Sequence, residues 1–179
     1  MATSFNPTAQ PWHRIVPVGR GAINSMRTLT GKTDLYVHLE GTFSRREAKR
    51  QDQDTPEYVS EILVFSPVQR VGSQAPRRNQ ITLVGRLGTK PHVAYPPDGG
   101  EPDVTLSVAT NSHRRDRSQS SGWRTDTTWH KVEMHGERAV ELVRRLRRGF
   151  NVSITGELAY RKGKRTSMAV VFASQINGQ

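Results

Sequence analysis

Apolar and polar positions in the second half of the chain follow two periods. Ile81 and Leu83 alternate with Gln80 and Thr82, and Val104, Leu106 and Val108 alternate with Thr105, Ser107 and Ala109. A period of two predicts strands that each bury one face. A third strand is expected to begin on Trp129 and end on Gly136. Over residues 137–148 the period changes. Ala139, Leu142, Val143 and Leu146 fall at i, i+3, i+4 and i+7, one stripe of a helix. Glu137 and Glu141 stand toward its start, Arg144, Arg145, Arg147 and Arg148 crowd its end, and Gly149 follows. That order complements the helix dipole and supplies a C-cap. Val152, Ile154 and Leu158 then predict a strand around Gly156, residues 161–165 a hairpin tip around Gly163, and Met168, Val170 and Phe172 the return strand.

The first part of the chain repeats the end of this series. Residues 12–19 (W-H-R-I-V-P-V-G) parallel residues 129–136 (W-H-K-V-E-M-H-G), and Ala22, Arg27 and Leu29 align with Ala139, Arg144 and Leu146 without a gap. After a two-residue offset, residues 37–43 align with 152–158, and Leu63-Val64-Phe65 aligns with Val170-Val171-Phe172. An internal repeat of this kind predicts a partial module over residues 1–71 holding strand, helix, strand, strand. A linker is expected at residues 72–78 (G-S-Q-A-P-R-R), and a complete module over residues 79–179. A half-module leaves strand edges that must be covered or paired. Another chain, the complete module, or residues upstream could supply the cover.

Charge narrows the partner. The chain has 179 residues with 27 Lys+Arg against 16 Asp+Glu, a formal net charge of +11. Both parts are basic: residues 1–78 hold 11 Lys+Arg against 7 Asp+Glu, and residues 79–179 hold 16 against 9. A polyanion is the expected partner, because each cation that neutralises a phosphate releases condensed counterions. With no cysteine, disulfides, zinc ribbons and thiol nucleophiles are excluded. No apolar run approaches membrane-spanning length. The six histidines show no metal-binding spacing, and no P-loop, nucleophile elbow or glycine-rich dinucleotide motif is present. No cofactor, metal or catalysis is expected.

Five segments in order carry a family resemblance: N-Q-I-T-L-V-G-R-L-G at 79–88, S-V-A-T-N at 107–111, T-T-W-H at 127–130, the helix, and V-S-I-T-G-E-L at 152–158. Over about a hundred residues the chain resembles the bacterial and mitochondrial single-stranded DNA-binding proteins. The resemblance implies an all-β fold with one helix per module, a five-stranded OB-fold barrel, complete in the C-terminal copy and partial in the N-terminal one. Gly85 and Gly88 would then mark the bend of a barrel strand. It also implies binding that protects exposed single strands during replication, recombination or repair, without chemistry. An RNA-binding subunit of an organellar RNA-processing or editing assembly is the alternative. Homo-oligomers are expected, with replication or RNA-processing proteins as further partners. The chain ends I-N-G-Q, without the acidic tail of bacterial members, so a mitochondrial or other organellar setting is expected over a bacterial cytoplasm.

In this family single strands run along a basic groove with aromatic platforms. Of four stacking positions, one keeps its aromatic, Trp129; the others fall on Arg114, on His135 and near Gly163, with Tyr160 close by. Arginine replaces the aromatics. Arg114, Arg115, Arg117, Trp123 and Arg124 are expected in the long hairpin loop, where a guanidinium can clamp phosphate or stack on a base. Arg161, Lys162 and Lys164 at the last hairpin, Lys131 beside Trp129, and Arg86 complete the candidate contacts. His130 is expected on the face opposite Trp129, in a core or interface role.

Overall fold

The computed structural model describes residues 12–48, 57–116, 118–162 and 167–178. They form two compact units that divide between Arg78 and Asn79.

The N-terminal unit contains β1 (Ile15–Pro17), α1 (Arg20–Leu29), β2 (Val37–His38), β3 (Thr42–Ala48), β4 (Glu57–Val64) and β5 (Gln69–Arg70). One sheet has the order β1-β4-β3, and β2 pairs with β5 in a short ribbon. Ala22, Val64 and Val68 form the buried core, with Ile15, Met26 and Leu29 packed against it. Ser25 ties the helix to that core: its hydroxyl donates to the Ala22 carbonyl and accepts from the Val68 N–H, each at 2.9 Å.

The C-terminal unit contains β6 (Ile81–Leu87), β7 (His92–Ala94), β8 (Asp103–Arg115), β9 (Trp123–His135), α2 (Glu137–Val143), β10 (Asn151–Lys162) and β11 (Ser167–Gly178). Its sheet runs β6-β10-β11-β9-β8-β7, and a second pairing of β6 with β8 closes five strands into a barrel with β7 appended. All pairings are antiparallel except β9 with β11. Leu87, Leu106, Val108, Val132 and Ile154 fill the interior. Asn79 adds a rung at one end: its side-chain amide donates to the Leu158 carbonyl at 2.7 Å and its amide oxygen accepts from the Leu158 N–H at 3.3 Å. This is the OB-fold barrel that the motifs imply.

Three expectations change. Trp129 lies inside β9, because the β8–β9 ladder continues unbroken to Arg115↔Trp123. His113, Arg115, Trp123 and Arg124 are therefore strand residues, and the turn begins at Asp116. The helix stops at Val143, so the arginines at 144–148 lie beyond it. The chain leaves the helix early in order to pair with β6: the Gly149 N–H donates to the Leu87 carbonyl at 2.8 Å, and the Leu87 N–H to the Phe150 carbonyl at 2.9 Å. Leu146 keeps its place in the core from a turn closed by its N–H on the Val143 carbonyl.

The third change concerns the repeat. Within the N-terminal unit β1 pairs with β4 in parallel, Ile15 opposite Ile62, and β3 pairs antiparallel, Phe43 opposite Ile62. In the barrel, Val132 and Leu158 both stand opposite Val171. The ladders thus superpose Ile62 on Val171, two residues away from the sequence alignment. A strand's face pattern has period two, so a two-residue slip leaves the apolar pattern intact and is invisible in the sequence. With that shift the two registers agree residue for residue. Gly19 and Gly136 also share one conformation ahead of their helices, at φ 83° and 87°, which a residue with a Cβ rarely adopts.

Candidate nucleic-acid interface

Alternation along β9 divides its residues between the barrel interior and an outer face. His130, Val132 and Met134 are buried. His130 Nε2 lies 2.7 Å from the Thr110 hydroxyl, which fixes the ring inside. Trp129, Lys131, Glu133 and His135 take the other face. Opposite them on β8 stand Ala109, Ser107, Thr105 and Asp103. Three of these four are small, so the outer face has a low floor along β8 beside a taller row on β9.

Trp129 is half exposed. The Cζ3–Cη2 edge of its six-membered ring abuts Gly88, where a Cβ would collide with those atoms. Gly88 is thus the seat of the indole, a role beyond the strand bend expected of it. That edge is held, and half of the side chain remains open to solvent, as a stacking platform requires.

The centre of the face is an ionic cluster. Glu133 is only 7% exposed, and the Lys131 ammonium lies 2.8 Å from one of its oxygens. Arg161 donates to the other oxygen through Nε at 2.9 Å and also through Nη2. Two cations held by one acid leave an excess positive charge at the middle of the sheet. Phe172 stands opposite Glu133 on β11. The Arg161 guanidinium sits over its ring at 5.5 Å from the centroid. His135 stacks against the same ring with centroids 6.0 Å apart, and His135 Nδ1 lies 2.6 Å from an Asp103 carboxylate oxygen.

At the far end of the ladder the Arg115 guanidinium lies over the Trp123 ring at 5.6 Å. Arg124 is on the other face from Trp123 and is held by Asp126 at 2.8 Å; Arg114 is its register partner. Arg86 donates through Nε to the Gly149 carbonyl at 2.6 Å. Tyr160 shares a strand face with buried Leu158, opposite to Arg161, and burial raises the pKa of its hydroxyl. Lys162 ends β10, paired with Ser167. Arg117 and Lys164 lie outside the described residues.

The fold therefore gathers Trp129, Lys131, His135 and Arg161 on one face, extended by Arg115 and Trp123, and separates Tyr160 and Arg124 from it. Sequence reasoning missed Gly88 as a seat, and missed Glu133, Asp103 and Phe172. Glu133 carries a visible signal, a lone acid between Val132 and Met134 that must face outward. Phe172 carries none, because alternation with buried neighbours reads equally as core.

Solved structures share this fold. Wild-type single-stranded DNA binding protein from Thermus aquaticus is similar in fold, with a TM-score of 0.69 at 19% identity, over 98% of this chain and 76% of that one. The Plasmodium falciparum SSB solved in complex with ssDNA is similar with a TM-score of 0.51 at 26% identity, over 59% of this chain and 98% of that one. The sequence pattern of the single-strand binding protein family matches residues 78–178. With the barrel, its motifs and more than half of its length accounted for in this way, the chain belongs to the single-strand binding protein family.

Proposed function

We propose that the protein binds single-stranded DNA along the outer face of β8 and β9, by stacking and charge, without chemistry. The observation that carries this reading is half-exposed Trp129, its ring edge seated against Gly88, within a barrel of the single-strand binding protein family. The indole offers a π-face that any base can use, and Lys131, Arg161 and Arg115 supply the cations beside it. Such a protein coats exposed strands during replication, recombination or repair.

The test is a competition between labelled oligo-dT and oligo-U at two salt concentrations. We expect preference for dT and a log–log salt slope of about −0.7 per neutralised phosphate. Equal or stronger binding to U would favour the RNA-subunit reading, to which the loss of aromatics at Arg114 and His135 lends weight. Affinity that does not change with salt would remove the electrostatic part of the mechanism.

The N-terminal unit is read as the second half of a further module, on the strength of the shared register and the paired glycines. We also infer assembly with copies of itself. Exposed Tyr36 and Val37 mark the edge at β2, where β10 of the complete barrel is covered by β6. Sedimentation at several concentrations measures this.

A further inference from the structure

Resting on the reading of the outer face as a DNA surface, we propose that Phe172 is the centre of a second base-stacking platform, a row formed with His135 and Arg161. The register explains the row. Phe172 stands opposite Glu133 on β9 and Glu157 on β10, while its neighbour Val171 faces the interior opposite Val132 and Leu158. Arg161 pairs with Met168, which precedes Phe172 on β11; His135 follows Glu133 on β9, which runs parallel to β11. The two planar groups therefore reach Phe172 from opposite directions. The imidazole is within 20° of parallel to the Phe172 ring.

Each end of the row is fixed by a carboxylate. Asp103 holds Nδ1 of His135, and Glu133 holds the Nε edge of Arg161. Bound along its edge, the guanidinium is held over the Phe172 ring. Glu133 is buried, so its charge lies below the path of a strand instead of across it. Trp129 and His135 are six residues apart on β9, about 20 Å at strand rise, far enough for the two platforms to take different bases of one strand. The row carries no base-specific array of donors and acceptors, so the ligand is single-stranded DNA of any sequence. It also accounts for a departure from the family pattern, since the histidine at 135 acts together with a phenylalanine from the neighbouring strand.

The experiment measures binding of the full chain to labelled oligo-dT, with thermal melting of every variant. Phe172→Leu keeps apolar bulk and removes the ring. We expect it to weaken binding roughly tenfold, equivalent to about 1.4 kcal/mol, with the salt slope unchanged because no charge is removed. Phe172→Trp should restore affinity, with its emission quenched on adding DNA beyond the quenching of the unmodified chain. Arg161→Gln should weaken binding and also flatten the salt slope. Wild-type affinity in Phe172→Leu would overturn the platform. If Phe172→Leu melts lower, Phe172→Trp decides: restored affinity supports the platform, and affinity still reduced at wild-type stability overturns it. Failure of the unmodified chain to bind oligo-dT would overturn the DNA reading itself, before any variant is compared.

Discussion

At the scale of single residues, the outer face depends on a few contacts between unlike partners. Trp129 needs Gly88, because a Cβ at that position would collide with the edge of the ring. Trp129→Ala is expected to weaken DNA binding by about 1–3 kcal/mol while the melting temperature stays near that of the unmodified chain. A joint loss of stability and binding would instead identify Trp129 as a core residue. Gly88→Val should reproduce the binding defect without touching the tryptophan, because the added carbons must displace the ring. Fluorescence needs care in both cases, since Trp12 and Trp123 are also exposed. That Trp129 and His130 take opposite faces is legible in the sequence, because alternation along one strand sets both. Phe172 and Asp103 are not, because their roles depend on which strand lies next to β9. The parallel contact between β9 and β11 is a property of barrel closure and leaves no local trace in the chain.

At the scale of elements, order and type were legible and lengths were not. Alternation places β6, β8, β9, β10 and β11 correctly because each buries one face. It ends too early on β8 and β9, where the ladder extends into residues that are polar on both faces, such as His113 and Thr125. Cross-strand contacts hold that extension: Thr127 donates to the Asn111 side chain at 2.9 Å, and Thr125 and His113 meet at 3.0 Å. The helix fails in the opposite sense, since Leu146 keeps the apolar stripe although the backbone has already turned toward β6. The hairpin extension carries Arg114, Arg115 and Arg124, and little of it is buried. Replacing residues 112–126 by a two-residue Asn-Gly turn should therefore leave the barrel's melting temperature almost unchanged. The same deletion should reduce affinity for oligo-dT and flatten the salt slope by about 0.7 for each phosphate that is no longer neutralised. An unchanged slope would mean that these arginines take no part in binding.

At the scale of the whole molecule, the two units differ in how much core each contains. Among the described residues the N-terminal unit buries three apolar side chains, Ala22, Val64 and Val68, whereas the C-terminal unit buries sixteen. On the proposed reading of the N-terminal unit as half of a repeat, W-H and the glycine spacing carry the signal in the sequence, while period two hides the register. On that reading the N-terminal unit would hold counterparts of the end of β9, of α2, of β10 and of β11. Its β1 is an edge strand among the described residues. The Arg14 carbonyl accepts from the Ile62 N–H and the Val18 N–H donates to the Val64 carbonyl, each at 2.8 Å, so Ile15 and Pro17 direct their backbone groups away from β4. Their counterparts Val132 and Met134 stand opposite β8. Pro17 has no N–H to offer there, so the edge that β8 covers in the barrel is blunted here, as edge prolines do elsewhere. A partner strand would add more readily beside Val37 on β2. Fixing the backbone of each residue costs about 1–2 kcal/mol, and three buried apolar side chains are too few to offset that over the unit. Expressed alone, residues 1–71 should give no cooperative melting transition, whereas residues 77–179, with every strand of the barrel, should melt cooperatively. Calorimetry on the two fragments, with sizing of each, makes the comparison. A monomeric 1–71 fragment with a sharp transition would establish the N-terminal region as a domain in its own right and remove the basis for reading it as half of a repeat.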